Sequence, residues 1–204
     1  MFKVILASGN RGKVTEIKEL LSILPIDLIP QHEYQVLDIP ETGTTFIENA
    51  IIKARHAAKM TKLPAIADDS GLVIPALNGA PGVFSSRYAG ETASDAVRIN
   101  KVLSELKKTN STDRRAFFHC VMVFMRSEFD PAPIVCQGVW LGEVQSAPSG
   151  DKGFGYDPIF RIPSHACTAA ELDLTEKNRI SHRGQAVAQM IQALRAFLAK
   201  PTGL

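Results

Sequence analysis

Between an apolar run at residues 2–7 and a helical pattern lies Ser8-Gly9-Asn10-Arg11-Gly12-Lys13. Glycines in such a turn let the backbone fold tightly and aim N–H groups at an anion, and the start of a helix adds positive potential. The spacing is not that of the P-loop, G-x-x-x-x-G-K-[ST], because only two residues separate the glycines and Val14 follows the lysine. An ordinary strand-to-helix turn accounts for the glycines equally well. It does not account for Lys13, since a cation in a helix's first turn opposes the macrodipole and a bound phosphate would supply the reason. The pattern returns at Ser181-His182-Arg183-Gly184, where two potential cations open the last helical pattern behind a serine suited to cap it. Two basic helix starts in one small chain favour a shared polyanionic ligand.

Asp68-Asp69-Ser70-Gly71 follows a short β-pattern, where carboxylates can emerge at a sheet edge. Adjacent acids on an extended backbone point to opposite sides, so one is expected to face a site and the other to brace loop backbone. Such a segment also reads as an acidic surface turn. As chemistry it suits a hard cation: Mg²⁺ takes one or two carboxylates and completes its shell with water and phosphate oxygens. Glu41, in the turn Pro40-Glu41-Thr42-Gly43, is a candidate second carboxylate. Gly153-Phe154-Gly155-Tyr156-Asp157-Pro158 alternates aromatics with glycines inside a loop, which suits stacking on a base as well as plugging a core. Arg87 and Lys177 are single cations of the kind more often solvated. His32, His56, His119 and His165 lack metal or triad spacing and read as structural or surface residues.

The elements that must position these groups follow from periodicity. Residues 2–7 and 26–29 read as strands, with Val14, Ile17, Leu20, Leu21 and Leu24 on one helical face between them. Thr45-Phe46-Ile47-Glu48 is a capping box opening a helix to about Met60, with Phe46, Ala50, Ile51, Ala54 and Ala58 inward. Residues 64–67 run as a brief strand into Asp68-Asp69-Ser70-Gly71. Thr92-x-x-Asp95 starts a helix ending near Lys108, and residues 115–126 and 133–140 form a long hairpin. One more strand at 159–162 and a helix carrying Val187, Met190, Ile191, Leu194 and Leu198 complete an α/β chain with a mixed sheet.

Composition bounds the function. With 204 residues, no linker and no repeat, one domain spanning 1–204 is expected. Hydrophobic residues at 45% and charged residues at 22% are ordinary globular usage. A net charge of +2 argues against binding a nucleic-acid polymer by charge. No apolar stretch approaches the ~20 residues that span a bilayer, and the first ten residues lack a cleavage pattern. Cys120, Cys136 and Cys167 form no C-x-x-C pair and read as buried small hydrophobes, so a soluble cytoplasmic protein is expected. From residues alone the chain reads as a nucleotide phosphohydrolase or transferase, and composition and spacing go no further.

Six motifs in order carry a closer likeness: Ser8–Lys13, Phe46-Ile-Glu-Asn-Ala50, Ala67-Asp-Asp-Ser-Gly-Leu72, Ser86-Arg-Tyr-Ala-Gly90, Gly153–Pro158 and Ser181-His-Arg-Gly-Gln-Ala186. Together they resemble the dITP/XTP pyrophosphatases, also called inosine triphosphate pyrophosphatases, in their bacterial form. The resemblance implies an elongated two-lobed α/β fold around a long curved mixed sheet, with the active-site cleft between the lobes. It implies a homodimer that uses Mg²⁺ to split the α–β bond of dITP, ITP and XTP, and so removes deaminated purines from the nucleotide pool. Residue by residue it implies Ser8, Gly9, Asn10, Arg11, Gly12 and Lys13 on the triphosphate, Asp69 as catalytic acid–base group and metal ligand with Glu41, and Ser70 as a substrate contact. Phe154, Gly155, Tyr156 and Asp157 match the nucleoside-binding stretch, and Lys177, His182 and Arg183 further nucleotide contacts. The rival readings are a pyrophosphatase for other modified nucleotides and a non-catalytic nucleotide-binding regulator. The tail beyond Leu198 carries no motif.

Overall fold

The computed structural model describes residues 1–199, so residues 200–204 of the motif-free tail lie outside it. The element order is β1 (Phe2–Ala7), α1 (Arg11–Leu21), β2 (Ile26–Pro30), α2 (Phe46–Thr61), β3 (Ala65–Val73), α3 (Asp95–Lys108), β4 (Arg115–Met125), β5 (Ile134–Val144), β6 (Phe160–Ile162), β7 (Cys167–Thr168), α4 (Leu174–Ile180) and α5 (His182–Leu198). The strands form a seven-stranded sheet in the order β2-β1-β3-β4-β5-β6-β7. β1 runs parallel to both β2 and β3, with Ile5 opposite Ile29 and Ala65, whereas β5–β6 and β6–β7 are antiparallel. The mixed α/β architecture expected from the strand–helix alternation is therefore present.

The chain divides into two compact units: the first holds Met1–Asp69, Cys120–Gly138 and the chain from Arg183, and the second holds Ser70–His119 and Val139–His182. In the first unit the period of two sorts the strand residues cleanly. Val4, Leu6, Ile66, Cys120, Met122 and Phe124 pack with Ile17 and Leu21 of α1 and Val187, Met190 and Leu194 of α5. Their neighbours Ile5, Ala7, Ala65, Ala67, Val121, Val123 and Met125 pack instead with Ala50, Ala54, Ala57 and Ala58 of α2. Helices on both faces explain why these strands are continuously apolar. The alanine stripe brings α2 close to the sheet. The second unit has its own core, in which Leu72, Ile99, Val102, Phe118, Trp140, Tyr156 and Phe160 meet.

Three local expectations are corrected. Residues 68–71 are not a turn: they continue β3 to Val73, because Asp68 and Asp69 find cationic partners that satisfy them inside the sheet. Ser94, not Thr92, caps α3 by accepting from Val97 N at 3.4 Å. The short elements β7 and α4 were not foreseen, being too brief to show a period. The capping box of α2 is as expected, with Thr45 Oγ1 accepting from Glu48 N at 3.3 Å and Glu48 Oε2 accepting from Thr45 N at 2.9 Å.

Candidate active site

Within the first unit, α1, α2 and β3 bring a cluster of acids and bases together. Asn10 caps α1 by accepting from Lys13 N at 3.1 Å, which sets the phosphate-loop candidate against the end of β1. At Gly9 the backbone is not left-handed, and a Cβ there would meet the Asp38 carboxylate, which would have to move aside. Ser8 Oγ accepts from Asn10 N, and Arg11 is exposed at the first position of α1. Lys13 Nζ lies 2.8 Å from Asp68 Oδ2, and Arg183 pairs with Glu16 and stands 3.8 Å from the same Asp68 oxygen. The cations at both helix starts thus have internal carboxylates beside them, which supply a reason for Lys13 in addition to a bound phosphate. Asp68 faces the side-chain cations of α1 and α5.

Asp69 points to a second group. Its Oδ1 accepts from Lys53 Nζ at 2.8 Å and its Oδ2 from Asn49 Nδ2 at 3.3 Å. Asn49 also accepts from Gly43 N at 2.8 Å through Oδ1, so one buried amide ties the 40–43 turn to Asp69. The tie has a consequence for Glu41, whose reach the spacing left open: its Oε1 lies 2.7 Å from the same Lys53 Nζ. Two carboxylate oxygens from distant parts of the chain therefore converge on one ammonium. Among the described residues there is no group of three metal-type ligands. Two carboxylates nonetheless suit Mg²⁺, which leaves its other positions to water and phosphate, and their shared approach to Lys53 Nζ shows that the two converge.

Burial and charge act differently on the two aspartates. Burial pushes Asp69 above the usual carboxylate range, and the nearby Glu41 adds to it against the pull of Lys53 and Lys13. Burial would raise Asp68 as well, but Lys13, Arg183 and Lys53 outweigh it and hold that carboxyl well below the range. Lys53 is raised despite its own burial because Asp69, Asp68 and Glu41 surround it. Asp68 is thus a fixed anion, while Asp69 is the more basic carboxylate and the one able to take a proton.

The second unit holds the aromatic loop. Gly153 has φ +74°, and a Cβ there would collide with Asp157 and lie 3.1 Å from Lys177 Nζ, so both backbone and space demand glycine. Asp157 Oδ2 accepts from Phe154 N at 3.0 Å and from Lys177 Nζ at 2.7 Å. The Lys177 ammonium also lies 4.9 Å from the Phe154 ring centroid, a cation–π distance. Lys177, read as a solvated single cation, is in fact buried on α4. The Tyr156 ring is a core member whose hydroxyl donates to Ser85 O at 2.8 Å. Gly155 follows Phe154, and Ser70 is half-buried on β3. His182 is buried with its ring stacked on Phe118 at 4.7 Å and 12° and on Trp140 at 6.3 Å and 18°.

Asn49, Lys53 and Glu16 escaped the reading of residues. A signal existed for each: Asn49 and Lys53 fall within the inward stripe of α2 beside Ala50, Ala54, Ala57 and Ala58, and Glu16 falls beside Ile17 on α1. A polar residue inside an apolar stripe is a buried polar group in need of a partner.

The family model for the Ham1 family matches residues 4–193. The chain is 62% identical over 199 residues to the dITP/XTP pyrophosphatase of Coxiella burnetii, covering 97% of this chain and 100% of that one. Its structure is similar to that of a HAM1 protein from Coxiella burnetii, with a TM-score of 0.92 and 61% identity over 96% of this chain and 100% of that one. It is also similar to the Staphylococcus aureus Ham1 protein, with a TM-score of 0.85 and 41% identity over 96% and 99% of the two chains.

Proposed function

The chain belongs to the Ham1 family, and from that membership we propose that it hydrolyses dITP, ITP and XTP to the nucleoside monophosphate and pyrophosphate. The observation that carries the reading is the placement of Asp69, a buried and raised carboxylate beside Lys53 and Glu41. In the proposed reaction Asp69 orients a water and accepts its proton as the water oxygen bonds to the α-phosphorus and the Pα–O–Pβ bridge breaks. Lys13 and Lys53, with the Ser8–Lys13 backbone, bind the phosphates and offset the charge that gathers on the departing pyrophosphate. Arg183 is held buried by Glu16 and Asp68 and lends its charge to the same phosphates.

Glu41 and Asp69 are the residues we assign to Mg²⁺, which when bound supplies charge neutralisation on phosphate oxygens. Phe154 offers a ring for stacking on the purine, with Gly155, Tyr156, Asp157 and Lys177 forming its support, while Ser70 and His182 are further nucleotide contacts. Residues 1–204 act as one catalytic domain, a reading supported by a family match that runs through both units. Among the described residues Cys120, Cys136 and Cys167 form no disulfide, which fits a reducing cytoplasm, and no helix is long and apolar enough to cross a membrane. The homodimer implied by the resemblance is part of the same proposal. The deciding assay separates the products of ITP hydrolysis with Mg²⁺ supplied: IMP and pyrophosphate are expected, and IDP with orthophosphate as first products overturns the reading.

A further inference from the structure

The aromatic loop gives two consecutive amides to carboxylates. Phe154 N donates to Asp157 within the loop, but Gly155 N donates at 2.6 Å to Asp95 Oδ2, a residue 60 positions earlier at the first turn of α3. An acid at a helix start is ordinarily explained by the macrodipole alone; a bond to a distant loop is an added task. The Asp95 carboxylate is oriented for that task from its other side. Arg98 pairs with its Oδ1, and Arg98 is itself fixed by donating Nη1–H to Ser86 O at 2.8 Å and Ala93 O at 2.6 Å. The donating residue, Gly155, has φ +65°. Phe154 therefore sits between two left-handed glycines, where its own backbone preference decides little and the amide bonds decide much.

We propose that Asp95 is a positioning residue for base selection: by holding the Gly155 amide through a charge-assisted bond, it fixes the Phe154 ring, without touching the nucleotide itself. The proposal rests on the reading that the Phe154 loop receives the purine. It follows that the Phe154 and Gly155 N–H groups, both donated to carboxylates, are not the donors that tell hypoxanthine from adenine.

The test compares kcat/KM for ITP and ATP in the full chain carrying Asp95→Ala, Asp95→Asn or Phe154→Ala. Loss of one hydrogen bond to a charged group leads to an ITP-to-ATP ratio narrowed by about tenfold in Asp95→Ala. The loss is expected mainly in KM for ITP, with kcat at saturation within about threefold of wild type because the phosphate groups are untouched. Asp95→Asn keeps an acceptor oxygen and is expected to restore most of the ratio. A role in helix stability alone would lower the melting temperature and scale all substrates alike, so an unchanged ratio in a folded Asp95→Ala overturns the proposal while a narrowed ratio in Phe154→Ala leaves the loop reading standing. If Phe154→Ala also keeps the ratio, the loop reading fails and the proposal with it. Should Asp95→Ala not fold, Arg98→Gln, which loosens the carboxylate but leaves the Gly155 bond, decides: a narrowing of about threefold supports the proposal and an unchanged ratio overturns it.

Discussion

Asp68 and Asp69 are neighbours in the chain and are 1% and 4% exposed, yet their partners divide their work. Asp68 faces Lys13 and Arg183, whose side chains are 15% and 4% exposed, so its charge compensates two cations that have little other solvation. Removing one member of a buried ion cluster leaves the others unpaired and typically costs about 3–5 kcal/mol. Asp69 shares Lys53 with Glu41, so neutralising it leaves the lysine one carboxylate. Asp68→Asn is therefore expected to lower Tm by about 10 °C, at about 2–4 °C per kcal/mol for a chain of this size. Asp69→Asn is expected to keep Tm within a few degrees and to cut kcat by about 10³-fold, the scale of a lost general base. Calorimetry and steady-state kinetics on the two variants check both halves, and a reversed pattern would exchange the roles.

At the scale of elements, long periodic segments were legible and satisfied polar ones were not. The Thr45–Glu48 capping box and the alanine stripe of α2 could be read because local chemistry alone dictates them. The continuation of β3 through Asp68-Asp69-Ser70-Gly71 could not, since turn propensity favours those residues and distant side chains, from α1, α2 and α5 among others, reverse it. The β4–β5 turn is a clearer case of local control. Asp130, 4% exposed, accepts from Arg126 N and Ala132 N, each at 3.0 Å, and pairs with the Arg126 guanidinium. The Arg126 side-chain bond, against a smaller opposing effect of burial, lowers the Asp130 carboxyl to about 2 from an ordinary 3.8. A depressed carboxylate stabilises the fold above its unfolded value and loses that contribution as pH falls through its folded one. Asp130→Asn is thus expected to cost about 1 kcal/mol at neutral pH, the arginine being half exposed. That difference should hold down to about pH 4 and shrink toward pH 2, as read by urea unfolding of both proteins; a difference independent of pH would assign the clamp to shape alone.

Over the whole molecule, the site residues fall into two chemical sets that the linear sequence interleaves. Lys13, Glu41, Lys53, Asp68, Asp69 and Arg183 belong to the first unit, and Ser70, the 153–157 loop, Lys177 and His182 to the second, with the boundaries falling between Asp69 and Ser70 and between His182 and Arg183. Motif order carries no sign of this division, because adjacent residues of one motif serve different cores. The division carries a consequence for selectivity. Every nucleoside triphosphate presents the same three phosphates, so a group that binds only phosphate contributes equally to reaction of ITP and of ATP, and its loss cancels in their ratio. A group that meets the base contributes unequally. Lys13→Met, which removes an ammonium but keeps the side chain's length, is therefore expected to lower kcat/KM for ITP and ATP by a common factor, about 10²-fold for a charged phosphate contact, leaving their ratio within about threefold. His182→Ala, whose ring is ordered by Phe118 and Trp140 in the second unit, is expected to change the ratio more than it changes kcat for ITP. The measurement is kcat/KM for both nucleotides in both variants at one Mg²⁺ concentration. A Lys13→Met enzyme whose ITP-to-ATP ratio shifts tenfold would mean that the phosphate groups sense the base, and the separation of the two sets would not hold.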